Sequence, residues 1–202
     1  GNFSLDALIA RLVSSRIWGY GGVVWNTVQL GLMTAVSASL LALCFALIVT
    51  RTRLPGRRFV GVLAVLPMIT PPFVIGLALI MLFGRSGAVN ALLEHAFGIS
   101  PTRWIYGLPG VWLAQTLALT PVAYLVLVGV VEGISASLEE AAQTLRASPW
   151  KTFTTVTLPL MAPGLVNAFL IVFIESLADF GNPLLLGGNL EVLSVAIYFA
   201  IV

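Results

Sequence analysis

Residues 17–50, 59–84 and 104–131 contain no Asp, Glu, Lys or Arg. Each run exceeds the roughly 20 residues that cross the hydrocarbon core of a bilayer as a helix. The whole chain is 59% hydrophobic and only 9% charged, against about 25% charged in an ordinary soluble domain. These runs predict three transmembrane helices. A fourth is predicted to begin after Pro163-Gly164, where Pro suits a helix start, and to run through Leu186 with two acids, Glu175 and Asp179, inside it. Residues 191–202 are apolar but too short to cross, and read as an interfacial helix or the approach to a further span. The predicted fold class is therefore an all-α integral membrane protein, a polytopic helical bundle of about four transmembrane helices.

Several functions fall away on composition. The net charge of +2 is scattered, with no basic cluster able to track a phosphate backbone, so no nucleic-acid partner is expected. One cysteine, Cys44, forms no internal disulfide, and one histidine, His95, makes no metal site alone. No charged segment followed by a short apolar core precedes the first span. Residues 1–202 read as a single transmembrane domain within a longer protein, with flanking spans expected at both ends.

Arginine gives the orientation. Residues 51–58 read RTRLPGRR, and a short loop this basic stays in the cytoplasm. Two crossings later, residues 132–163 fall on the same side. Overall the predicted cytoplasmic side holds six basic residues and the other side four, so the density of the one loop decides the matter.

Within 132–163, the stretch EAAQTLRASPWKTFTTVTLP (140–159) is too polar to lie in hydrocarbon. Ser137-Leu-Glu-Glu140 fits a capping box, which starts a short helix at Ser137. Ala141 and Ala142 give that helix a face with almost no bulk, open to close approach. Ser148-Pro149 supplies a second cap, and Trp150, Phe153 and Val156 follow at three-residue spacing as one apolar stripe. The pattern predicts helix, turn, helix, with Leu158-Pro159 and Pro163-Gly164 breaking the chain before it re-enters the membrane. Trp150 and Phe153 can pack on their own subunit or fill a cleft on a partner; the residues alone leave both open.

Glu140, Ala141 and Ala142, then three residues, a position usually Gly, nine residues, and Val156, Leu158 and Pro159 resemble the coupling-loop signature of bacterial ABC importer permeases. The departure is Arg146, which stands where most of that family has Gly. Arg tolerates positive φ poorly, so the first helix is expected to continue to Ser148 and Pro149. LPMITPPFVIGLALI (66–80), GRSGAVNALL (84–93) and ESLADFGNPLLLGG (175–188) are most similar to the first half of the ferric-iron permeases. Permeases for 2-aminoethylphosphonate, thiamine, polyamines or sulfate share much of the same text.

The resemblance implies a type I importer permease fold in the bacterial inner membrane, set in membrane lipid. It further implies a cytoplasmic ABC ATPase dimer gripping Glu140, Ala141, Ala142, Arg146, Trp150, Val156, Leu158 and Pro159, a second permease half, and a periplasmic solute-binding protein. ATP and Mg would sit on the ATPase, with no cofactor on this chain. It contains no GxxxxGK[ST] phosphate loop and is not expected to be an enzyme. A proton-coupled secondary transporter would leave the coupling signature unexplained, and an intramembrane enzyme lacks its aspartyl or Ser-His pair.

Glu175 and Asp179 lie one helical turn apart and are expected to share a face. Exposing an ionised group to lipid costs at least ~2.5 kcal/mol. They are candidates either for lining the translocation route or for hydrogen-bonding across the interface with the second half. No metal ligand set is assigned.

Overall fold

The computed structural model describes residues 15–201. After a single helical turn at Ser15–Trp18, the chain forms α1 (Val23–Arg51), α2 (Arg57–Val65), α3 (Pro72–Phe83), α4 (Ala88–Phe97) and α5 (Leu108–Gly133). There follow α6 (Ala136–Thr144), α7 (Pro149–Thr152), α8 (Leu158–Ala178), α9 (Gly181–Leu186) and α10 (Leu193–Ile201).

The bundle is organised around α1, α5 and α8. In lipid the apolar surface of a helix gains little by leaving its surroundings, so close packing of small residues has to hold helices together. On α1 the residues Ala35, Ala38, Ala42 and Ala46 are fully buried, a methyl-only stripe at helical spacing. Opposite them lie Ala123, Leu127 and Val131 of α5 and Met161, Ala168 and Val172 of α8. Two glycines mark close approaches between these helices. A Cβ on Gly31 would sit 2.9 Å from the Phe173 ring, and one on Gly164 would sit 2.5 Å from a Val130 methyl. The other side of α1 carries Trp25, Val28, Leu32, Val36 and Leu40, all exposed. A helix apolar on every side is what hydrocarbon or a further helix requires.

The second predicted span is built differently from expectation. Residues 59–84 do not form one helix: α2 gives way to a 3-10 turn at Leu66–Ile69, and α3 starts only at Pro72. Pro67 sits in that turn, and Pro71 is extended with ψ 139°. Proline lacks the N–H that an α-helix interior needs and pushes its predecessor out of the α region, so the run breaks where the prolines cluster. The stretch long and apolar enough to cross is instead Phe73–Phe97, with a break at Gly84 and Gly87 between α3 and α4.

The fourth span also differs. Helical structure runs from Pro149 to Ala178 without interruption, so neither Leu158-Pro159 nor Pro163-Gly164 breaks the chain. The reason is a π turn at Phe153–Thr157, in which Leu158 N–H reaches back five residues to Phe153 O. The widened turn comes just ahead of Pro159, where the α pattern would otherwise need an N–H that proline lacks. The helix ends at Ala178, before Asp179. The two ends of the bundle are each tied. At one, the Arg51 guanidinium donates to Val131 O at 3.0 Å and Ile134 O at 3.2 Å, which places residues 51–58 and the 132–163 segment on the same side, as the arginine argument required. At the other, Gly107 N donates to Leu186 O at 2.7 Å and Leu193 N to the Thr27 hydroxyl at 2.8 Å.

Candidate functional site

The segment between α5 and α8 forms an elbow. Its first helix begins at Ala136, one residue earlier than the capping-box pattern placed it, and the cap moves from Ser137 to Ser135. The Ser135 hydroxyl accepts from Ser137 N at 3.3 Å and pairs with the Ser137 hydroxyl at 2.7 Å. Ser135 takes the cap because it follows extended Ile134 (ψ 120°) and is the first residue able to offer a hydroxyl to the new helix. Glu140 consequently sits within α6, exposed, rather than bracing its start.

Arg146 corrects a second expectation. The helix α6 stops at Thr144, and Arg146 itself takes the left-handed conformation with φ 60°. Ala147 N donates to Ala142 O at 3.1 Å, the bond from the second residue past the cap to the third-last helical carbonyl that defines a Schellman turn. That conformation costs an L-residue about 1–2 kcal/mol. It is imposed from downstream: Ser148, preceding Pro149, is held extended at ψ 156°, so α6 cannot run on into α7 and the reversal is compressed into residues 145–147. Ser148 does cap α7, accepting from Lys151 N at 3.3 Å with Pro149 in the first turn, as the sequence predicted.

The elbow presents apolar surface outward. Leu145 is 83% exposed and Trp150 71%, and Leu138 of α6 is 47% exposed. The Trp150 and Phe153 rings lie 5.8 Å apart, and Phe153, Val156 and Leu158 are half-buried at the root of the elbow while Ala141 and Pro159 are exposed and Ala142 half-buried. The stripe is thus split: Phe153 packs inward and Trp150 projects.

The membrane acids lie one turn apart at the end of α8, as expected, with Asp179 N donating to Glu175 O at 3.0 Å. Asp179 lies beyond the end of α8 with ψ 121°, and its carboxylate caps α9 by accepting from Gly181 N at 3.1 Å and Asn182 N at 3.4 Å. The other carboxylate oxygen accepts from Gln115 Nε2 and from Asn182 Nδ2, both at 2.9 Å. Gln115 is fully buried, and its carbonyl oxygen accepts from Ser176 Oγ at 2.7 Å and Thr34 Oγ1 at 3.1 Å. One network therefore joins α1, α5, α8 and α9 through hydrogen bonds within the chain. The Glu175 side chain is exposed and, among the described residues, has no hydrogen-bond or ion-pair partner. Even so, both acids line one cavity of about 120 Å³, with Ala118, Leu119, Ala178 and Asn182.

Sequence reasoning missed Gln115, Ser176, Thr34 and Asn182. Their signal was present: amide and hydroxyl side chains inside otherwise apolar spans must find partners when water is absent. It also read Arg51 only as a topological marker, whereas its side chain caps the carbonyl end of α5.

Four apolar helices long enough to cross a bilayer, broken by a helical elbow that exposes Leu145 and Trp150, define a multi-pass membrane protein of the transporter-permease kind. The chain belongs to the family of binding-protein-dependent transport system inner membrane components, which it matches over residues 38–200. It is 43% identical to ferric transport system permease proteins of Haemophilus influenzae and Actinobacillus pleuropneumoniae, over 89% and 92% of its own length respectively. It spans about a quarter of the length of those relatives, 28% in each case. A molybdenum transport system permease of Escherichia coli is 32% identical over 82% of the chain and 73% of its own length. The fold matches that of a bacterial alginate ABC transporter solved with its alginate-bound periplasmic protein, with a TM-score of 0.80 at 20% identity over 97% of this chain and 71% of the other.

Proposed function

We infer that the chain is the membrane-spanning permease part of an ATP-driven, binding-protein-dependent importer in the bacterial inner membrane, with ferric iron as its cargo. The observation that carries this reading is the elbow. A pair of large apolar side chains, Leu145 and Trp150, stands exposed on either side of the left-handed turn at Arg146, at the arginine-rich end of the bundle. A cytoplasmic ATPase subunit is the partner such a surface suits, with ATP and Mg on that subunit and hydrolysis outside this chain. Because α7, the π turn and α8 are continuous, a push on Trp150 is transmitted directly into a span. The iron assignment is supported by the two ferric permease relatives.

On the route itself we place Glu175. Its carboxylate has no partner within the described chain and opens on the small cavity between α5 and α8, whereas Asp179 spends both oxygens on the fold. Carboxylate oxygens suit a hard cation, and two acids and an amide are too few to hold one tightly, which favours passage over storage.

The test is uptake into proteoliposomes holding the full permease, its ATPase and the periplasmic protein. Iron accumulation that requires ATP is expected. Accumulation of molybdate or sulfate in place of iron would reassign the cargo, and iron uptake persisting without the ATPase would replace the ATP-driven reading with a secondary transporter.

A further inference from the structure

Among the described residues Arg146 is the one non-glycine with positive φ. Glycine would take the same Schellman position without strain, and the turn needs nothing from the side chain, since its bond runs from Ala147 N to Ala142 O. The guanidinium is exposed and, among the described residues, has no hydrogen-bond or ion-pair partner. It follows Leu145 directly and lies on the turn that leads to Trp150, so it stands beside the two most exposed apolar side chains of the elbow. Residues held in such sparsely populated backbone regions cluster at ligand clamps and switch regions.

We propose that Arg146 is a charge anchor of the elbow: its guanidinium pairs with an acidic side chain of the cytoplasmic ATPase subunit and fixes which ATPase the permease accepts. The inference rests on the docking role given to the elbow above. Leu145 and Trp150 supply apolar contact, which discriminates weakly between similar clefts. A guanidinium fork meets a carboxylate with two parallel hydrogen bonds of defined direction and rejects a surface that lacks one.

The full-length permease in nanodiscs, titrated with its own ATPase subunit at low and at high salt, tests this. R146Q keeps the strained turn and loses the charge; R146G relaxes the turn and loses the charge; R146K keeps the charge without the fork. Both R146Q and R146G should weaken ATPase binding about tenfold at low salt, the loss expected for one charge-assisted contact, and the difference from wild type should narrow as salt screens the pair. R146K should fall between. Binding of R146Q and R146G equal to wild type at both salts overturns the anchor. So does a loss seen only in nanodiscs of anionic lipid and absent in zwitterionic ones, which would make Arg146 a lipid contact. L145D serves as the separate control. If it too leaves ATPase binding intact, the docking role of the elbow is what fails; if it abolishes binding while R146Q does not weaken it, only the anchor fails.

Discussion

The Asp179 carboxylate accepts from Gln115 Nε2 at 2.9 Å, joining the end of α8 to the first half of α5 in the apolar interior. The same oxygen takes Asn182 Nδ2, and its companion takes the backbone of α9. Asp179→Asn keeps the shape but forces an NH2 group against donors at one oxygen position or the other. Leaving such groups unsatisfied costs about 1–3 kcal/mol each. The variant should therefore lower the unfolding midpoint of the purified permease by several degrees, whereas Glu175→Gln, at an exposed side chain without a partner, should leave it unchanged. Thermal unfolding in detergent checks both. Equal midpoints in the two variants would remove Asp179 from its structural role.

Glu175→Gln should instead slow iron uptake while ATPase binding stays normal, because it removes a charge from the cavity without touching the network. Transport at the wild-type rate would take Glu175 off the route.

Gly164 faces Val130 so closely that an added Cβ would lie 2.5 Å from a valine methyl. Gly164→Ala should destabilise the bundle by about 1–3 kcal/mol through overpacking. Val130→Ala in the same chain should restore most of the loss, since it removes the atoms that clash. A double-mutant cycle on unfolding reads the coupling directly; additive effects would show that the helices simply shift apart.

The elbow tests the value of a cap. Ser148→Ala removes the acceptor for Lys151 N, worth about 1 kcal/mol. The loss should be confined to α7, appearing as faster amide exchange over 149–157 and weaker coupling of hydrolysis to uptake, with the global unfolding midpoint hardly moved.

Sidedness is checked with thiols. In a Cys44→Ser background, Leu54→Cys should react with an impermeant reagent only once the inner membrane is opened, and Ser86→Cys should react in intact spheroplasts. The reverse pattern would place the elbow outside the cytoplasm.

What the sequence made legible was whatever depends on transfer from water to hydrocarbon. The long charge-free runs located the first and third spans, and four arginines put residues 51–58 and 132–163 at one end, as the Arg51 bonds to Val131 and Ile134 bear out. Local chemistry held where one residue decides, as at Ser148-Pro149. It failed where neighbours compete. Ser135 displaced Ser137 as the cap by coming first; a π turn carried the helix through Pro159; and the extended conformation required before Pro149 drove Arg146 into a backbone region that its own preference resists. The Gln115 network was out of reach for a different reason. Its members come from four helices, and no spacing in the chain records that they meet.

Docking of the elbow on the ATPase carries the functional reading. A photoreactive benzophenone residue in place of Trp150, in inner-membrane vesicles carrying the complete transporter, tests it with one readout. An adduct between the permease and the cytoplasmic ATPase subunit is the expected result. Adducts with lipid or with the permease's own helices, and none with the ATPase, would contradict it.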